Sequence, residues 1–346
     1  MIRKDTFILL IAVLILPVIV IAGCSSKRSE NNKKAATVTL NKPVIGNETS
    51  LLLQDLEQNG DYVNSKGFPS LIKASIVEES LGKNTLIIDL RSPGLYRAGH
   101  IIGAVNKKFQ DLPDYFESGI RPFEYDKIIL VSEDGQISSY AASLLRLMNY
   151  GNVYSMRWGM SAWNKKYAVN GWLKGISGKY ENNLEMKENE KPSPGAMPEL
   201  KTGKKTGEEI AEARFRELFA EGTSNVLISA DEVFSDPSGY YIINYERKDR
   251  YDDGHIPGAV RYKPAATLGF PEEMATIPPD RTVVVYCSTG HNSGFATAYL
   301  RLLGYDAKTL KYGNNGFMHD KMVQQKSTLS WLPFSNQEIN DFPDGK

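Results

Sequence analysis

The residue best placed to do chemistry is Cys287, which closes the apolar run Val283-Val284-Val285-Tyr286 and opens Cys287-Ser288-Thr289-Gly290-His291-Asn292-Ser293. The ten residues after it, Gly294 to Leu303, are of helical type and end at Gly304. The thiol is therefore expected at a strand end, beneath a helix N-terminus. Unpaired amides and the positive end of the helix dipole favour an anion there. Cysteines in such settings titrate at about 3.5–7.5 instead of about 8.5, so Cys287 is expected to be a thiolate nucleophile at neutral pH. The competing possibility is an inert buried cysteine. Against it stand the small polar residues that follow, which suit a loop folding its amides around an anion, and the presence of only two cysteines in the chain.

A strand and a helix must flank this loop, and an internal repeat supplies them twice. The segment Leu86-Ile87-Ile88-Asp89-Leu90-Arg91, with Tyr96 and then Gly99-His100-Ile101-Ile102-Gly103-Ala104-Val105, recurs as Tyr241-Ile242-Ile243-Asn244-Tyr245-Glu246, Tyr251 and Gly254-His255-Ile256-Pro257-Gly258-Ala259-Val260. A constant offset of 155 residues relates Asp89 to Asn244, His100 to His255 and Ser132 to Cys287. Ungapped register of this kind means two copies of one domain. In each copy, short apolar runs (Leu86 to Leu90 and Lys127 to Val131; Tyr240 to Asn244 and Thr282 to Tyr286) alternate with helical stretches. That pattern predicts an α/β fold, a parallel sheet flanked by helices, in each half.

Residues 66–177 are expected to form the first domain and 208–334 the second, with 335–346 as a C-terminal tail. Between the domains, 178–207 is rich in Lys, Glu, Asn, Pro and Gly and is expected to be an exposed linker. An amphipathic helix from Glu208 to Glu221, with Ala211, Phe215, Leu218 and Phe219 at helical spacing, introduces the second domain. Residues 24–65 are expected to be a tether and an N-terminal extension.

At the N-terminus, Arg3 and Lys4 precede the apolar run Phe7 to Ala22, the layout of a secretory signal in residues 1–23. The run ends in Ile21-Ala22-Gly23-Cys24 and resembles a bacterial lipobox, which implies lipidation of Cys24. A plain transmembrane anchor is the alternative, weakened by Pro17. Either way the chain is expected outside the cytoplasm, held to a membrane, periplasmic or at the cell surface. One unpaired cysteine is unusual there, because oxidising compartments favour paired thiols; a reactive role for Cys287 accounts for it, with an intermolecular disulfide as the alternative. Lys plus Arg and Asp plus Glu each total 41, so no basic excess marks a nucleic-acid partner.

An aspartate and arginine at a strand end, a Gly-His-Ile-x-Gly-Ala turn, a further strand and then a cysteine loop together resemble the rhodanese family, in tandem from about Phe68 to Met322. The resemblance implies a sulfurtransferase that moves sulfane sulfur from thiosulfate, polysulfide or a related donor to a thiophilic acceptor (a thiol, cyanide or a protein) through a persulfide on Cys287. Loop amides from Ser288 to Ser293 would converge on the sulfur, and Gly290 would let the backbone turn. No cofactor and no metal are implied. In the first copy Ser132 stands where the second has Cys287, which implies a catalytically inert domain, and Glu133 and Asp134 would repel an anionic donor there.

The second copy departs from the pattern by carrying Asn244 and Glu246 in place of Asp89 and Arg91, with Arg250 four residues after Glu246. Two roles are open to Arg250: a reversed ion pair with Glu246, or a donor-binding guanidinium facing the cleft. His291 has no counterpart in the first copy. It either lends positive charge or a hydrogen bond to the loop, or is an exposed loop histidine. His100 and His255 occur in both copies and are expected to be structural. Ser293 is expected to cap the following helix, since Ser138 holds the same place in the first copy. Phosphatase or arsenate reductase chemistry would need an arginine at the Ser293 position and is disfavoured. A lipid-anchored sulfur carrier with little turnover is the remaining alternative.

Overall fold

Strand-forming residues in both halves are buried on both faces, as parallel sheets covered by helices require. The computed structural model describes residues 44–269 and 273–346; the expected signal segment and Cys24 lie outside them. Among the described residues, no helix is long and apolar enough to cross a membrane.

The first sheet contains β1 (Leu71–Ile72), β2 (Thr85–Asp89), β3 (Val105–Asn106), β4 (Lys127–Val131) and β5 (Val153–Met156). The second contains β6 (Leu227–Ile228), β7 (Tyr241–Asn244), β8 (Val260–Arg261), β9 (Val283–Tyr286) and β10 (Ala307–Leu310). The spatial orders are β1-β5-β4-β2-β3 and β6-β10-β9-β7-β8, and every pairing is parallel. Chain direction across each sheet reverses between its two central strands, so the loops after β2 and β4, and after β7 and β9, flank one crevice. In open α/β sheets ligands bind at this point, outside the carboxyl ends of the strands.

Four long helices complete the frame: α1 (Asn47–Gln58), α2 (Gln136–Leu147), α3 (Gly207–Glu221) and α4 (His291–Leu302). A capping box, Thr206 with Glu209, fixes the start of α3. The helices α2 and α4 pack face to face. Gly294 allows the approach, because a Cβ there would lie 3.1 Å from the Gln136 carbonyl, and Ser143 Oγ donates to the Phe295 carbonyl at 2.9 Å. Their inner faces join both sheets in a shared core that includes Ile88, Leu130, Ile243 and Val285, while a separate core backs each sheet on its outer side.

The segments expected outside the two domains fold onto them. The N-terminal extension contains α1, which packs on α3 and anchors the strap before it through Glu48, whose carboxylate accepts the Thr202 amide at 2.7 Å. The extension is thus folded and docked on the helix that introduces the second domain. Residues 178–207 lack long regular elements, as their composition requires, but they are not a free linker. Glu185 exchanges backbone hydrogen bonds with His255 at 2.8 and 2.9 Å, and Met197 and Leu200 are buried. The C-terminal tail, 335–346, returns to the first domain, where Phe342 packs on Trp163 and the Trp163 indole donates to the Pro343 carbonyl at 2.9 Å.

Candidate active site

The buried strand β9 delivers Cys287 to the central crevice with 3% of its surface exposed. Gly290, at φ 73°, turns the chain into α4. A side chain there is excluded twice over, by the left-handed backbone and because a Cβ would lie 2.0 Å from Gln136 Nε2. The turn brings the Ser293 amide to Cys287 Sγ, donating at 3.4 Å. Ser293 Oγ lies 3.7 Å from the sulfur and 2.5 Å from Thr309 Oγ1, so this residue holds the sulfur as well as opening the helix.

The ring of amides expected around the sulfur is incomplete. The Ser288 amide and hydroxyl both donate to the Glu246 carboxylate, and the His291 amide donates to Thr289 Oγ1 at 3.4 Å. The expected depression of the Cys287 pKa is corrected accordingly. Burial pushes the thiol up, the Glu246 charge pushes it further up, and the Ser293 and Thr289 amides offset only part of this.

Arg250 adopts the reversed ion pair. Its Nη1 donates to Glu246 at 2.8 Å and to Ser288 Oγ at 3.0 Å, its Nε to the Leu329 carbonyl at 3.1 Å, and its Nη2 to the Ser330 carbonyl. The guanidinium also lies 4.8 Å from the Trp331 ring centroid. Arg250 does border the cleft, but four of its five N–H donors are engaged, two by Glu246 and Ser288 and two by the Leu329 and Ser330 carbonyls.

His291 meets neither expectation. It is fully buried, and its Nε2 accepts the backbone N–H of Trp158 in the first domain at 3.0 Å. The proton therefore sits on Nδ1, which donates to Thr289 Oγ1 at 2.8 Å. Burial, assisted by the nearby Arg157 charge, holds its pKa down to about 3, so it brings no positive charge to the sulfur. The repeat supplies a mirror image. Gln136 occupies the matching position in the first copy, and its Oε1 accepts the Tyr312 amide of the second domain at 2.8 Å while its Nε2 donates to the Leu310 carbonyl at 3.1 Å. Each loop thus clasps the backbone that follows the other domain's last strand.

Cys287 opens on a cavity of about 300 Å³. Ser288, Thr289, Asn292, Glu246, Arg247, Arg250 and Leu332 line it from the second domain, and Pro69, Leu71 and Arg157 from the first. Arg157 is the functional candidate that the sequence reading missed. The repeat held a signal for it, since Arg157 and Lys311 each follow the last strand of their copy, where a parallel sheet presents its ligand edge.

In the first domain, Ser132 Oγ sits where the sulfur would, accepting the amides of Gly135 at 3.0 Å and Ser138 at 3.3 Å. Asp134 does not face a donor as expected. It is buried, its carboxylate accepts the Gln136 amide at 3.0 Å, and burial raises its pKa. His100 and His255 stack on Tyr96 and Tyr251 at centroid distances of 3.9 and 3.7 Å, each with Nδ1 on the tyrosine carbonyl, which is a structural role.

The rhodanese-like domain family model matches the chain at residues 73–166 and again at 232–320, together more than half of its length. The thiosulfate sulfurtransferase GlpE of Pseudoalteromonas translucida is 35% identical over 92 residues, which cover 26% of this chain and 84% of that protein. The tRNA uridine(34) hydroxylase of Onion yellows phytoplasma is 26% identical over 121 residues, 34% of this chain, and the match spans only 39% of that protein. Among solved structures, the 3-mercaptopyruvate sulfotransferase SseA of Escherichia coli aligns over 70% of this chain and 98% of its own at 18% identity, with a TM-score of 0.25 that carries no weight here. Two matched repeats, on two parallel sheets of one strand order with a cysteine in one loop and a serine in the other, place this chain in the rhodanese-like domain family.

Proposed function

We propose that the protein is a sulfurtransferase that carries sulfane sulfur as a persulfide on Cys287, with the second domain catalytic and the first a structural partner. The observation that carries this is Cys287 itself, the free cysteine among the described residues, opening on a cavity with the Ser293 amide on its sulfur. Membership of the family and a relative named thiosulfate sulfurtransferase support the same chemistry.

With thiosulfate, the Cys287 thiolate attacks the outer sulfur. A new S–S bond forms on the enzyme, the old one breaks, and its electron pair leaves on sulfite. A nucleophile then takes the outer sulfur and regenerates the thiolate, so the transfer divides into two steps around a covalent intermediate. The terminal sulfur of the persulfide projects beyond Sγ into the cavity that Ser288, Thr289 and Asn292 line. Because burial and Glu246 favour the neutral thiol, loading is expected to quicken as pH rises through the thiol range.

Intact mass of the full-length chain in detergent, with and without thiosulfate or polysulfide, tests the proposal. A cyanide-labile gain of one sulfur that is absent from Cys287→Ser, with sustained thiocyanate release, is the expected result. Gain without turnover would make the protein a carrier, and no gain from either donor would overturn the persulfide.

A further inference from the structure

Three guanidinium groups border the Cys287 cavity, and they are not equivalent. Arg250 is consumed by Glu246, Ser288 and the 329–330 carbonyls. Arg247 is exposed and forks onto Asp249, its Nε donating at 3.0 Å. Arg157 comes from the other domain and is partly buried. Among the described residues, no hydrogen bond or ion pair engages its side chain.

Its backbone, by contrast, is tied on both sides. The Arg157 amide donates to the Ile72 carbonyl at 2.9 Å. The next residue, Trp158, gives its amide to His291 at 3.0 Å and its indole N–H to Glu338 at 3.0 Å. A rigid backbone thus holds an unspent guanidinium at the mouth of the cavity, where loading brings an anionic donor to the Cys287 thiolate beside the Glu246–Arg250 pair. An anionic donor entering that cavity needs a compensating cation, and a guanidinium fork matches a tetrahedral oxoanion.

We infer that Arg157 of the first domain binds the oxoanion end of the sulfur donor, so that the catalytic pocket is completed by the domain that lacks a cysteine. The inference rests on the proposed sulfur transfer and narrows its donors to those ending in a sulfonate, as thiosulfate does. Arg157 would then face the group on which charge accumulates when the S–S electron pair departs with sulfite. Lys311 occupies the corresponding position in the other copy and lies close enough to lower the pKa of Asp134 in the first domain's loop, so a crossing cation belongs to the repeat itself.

Single-turnover loading of the full-length chain in detergent, followed by intact mass, tests this with two donors. Thiosulfate carries a sulfonate. Inorganic disulfide, HSS⁻, delivers the same sulfur and releases HS⁻ without one. Arg157→Ala is expected to lower the thiosulfate-to-disulfide loading ratio about tenfold, the loss of one hydrogen bond to a charged group. The change should lie in the thiosulfate concentration needed for half-saturation, and Arg157→Lys should recover part of it. If wild type loads from both donors and Arg157→Ala keeps the ratio, the inference falls while sulfur transfer stands. If wild type loads from neither, the proposed function falls and takes this inference with it. If Arg157→Ala slows both donors and the alkylation of Cys287 by iodoacetamide in parallel, the arginine tunes the thiol and does not hold the donor, which also overturns the inference.

Discussion

Replacing His291 with glutamine should remove most of a specific acid sensitivity. The His291 ring is fully buried, lies edge-on to Trp158 at 5.2 Å and parallel to Trp172 at 5.8 Å, and accepts the Trp158 amide. Its folded-state pKa, held down to about 3, lies below the unfolded value of about 6.5. Its neutral form therefore contributes stability that is whole above the unfolded value and is lost as pH falls toward the folded one. At about 1.36 kcal/mol per pH unit, the loss from this residue amounts to about 2 kcal/mol at pH 5. Arg157 opposes protonation of the ring, and both are present at either pH. Glutamine is the residue that Gln136 already supplies at the mirror position, and its amide oxygen can accept the same N–H without titrating. Urea unfolding followed by tryptophan fluorescence at pH 7.5 and pH 5.0 gives the test. Wild type should lose about 2 kcal/mol more than His291→Gln on acidification, even if the variant begins slightly less stable. Equal losses in the two proteins would refute the reasoning.

Two further outcomes follow from the same geometry. Glu246→Gln keeps the shape of the site but removes a charge that raises the Cys287 thiol, so the pH midpoint for iodoacetamide alkylation should fall; an unchanged or higher midpoint would contradict this. Deleting residues 340–346 removes Phe342 from Trp163 and should cost about 1 kcal/mol, the partial burial of one large apolar side chain, with a lower Tm in thermal denaturation. An unaltered Tm would show that the tail lies on the first domain without supporting it.

The repeat made the scaffold legible because parallel strands buried on both faces leave uninterrupted apolar runs, and two copies in one register fix where each run begins. Cys287, its turn at Gly290 and the exchange of Glu246 with Arg250 could be found the same way. The sign of the Cys287 shift could not, because it depends on how deeply the loop is buried and on the Ser288 amide choosing Glu246 over the sulfur. His291 misled for a related reason. Its polar neighbours in sequence suggested solvent, whereas its partner, the Trp158 amide, is a backbone group 133 residues away that no side-chain pattern records. Arg157 was hidden because the copy without a cysteine was searched for a catalytic loop of its own and not for a side chain reaching the other copy's site.

The crossing of the chain ends has a consequence for biosynthesis. The segment that covers Trp163 and meets His100 through Gly345 is made after both repeats, and α1, the first described helix, packs on α3 of the second half. Domains ordinarily fold as units in the order they emerge. Here the earlier half leaves the ribosome without its cover and with α1 lacking a mate, so its final packing waits for residues 335–346. The arginine that completes the Cys287 pocket is therefore set in its final frame only once residues 335–346 are made, since Glu338 holds the neighbouring Trp158, and a product lacking them would carry the thiol without a finished site around it.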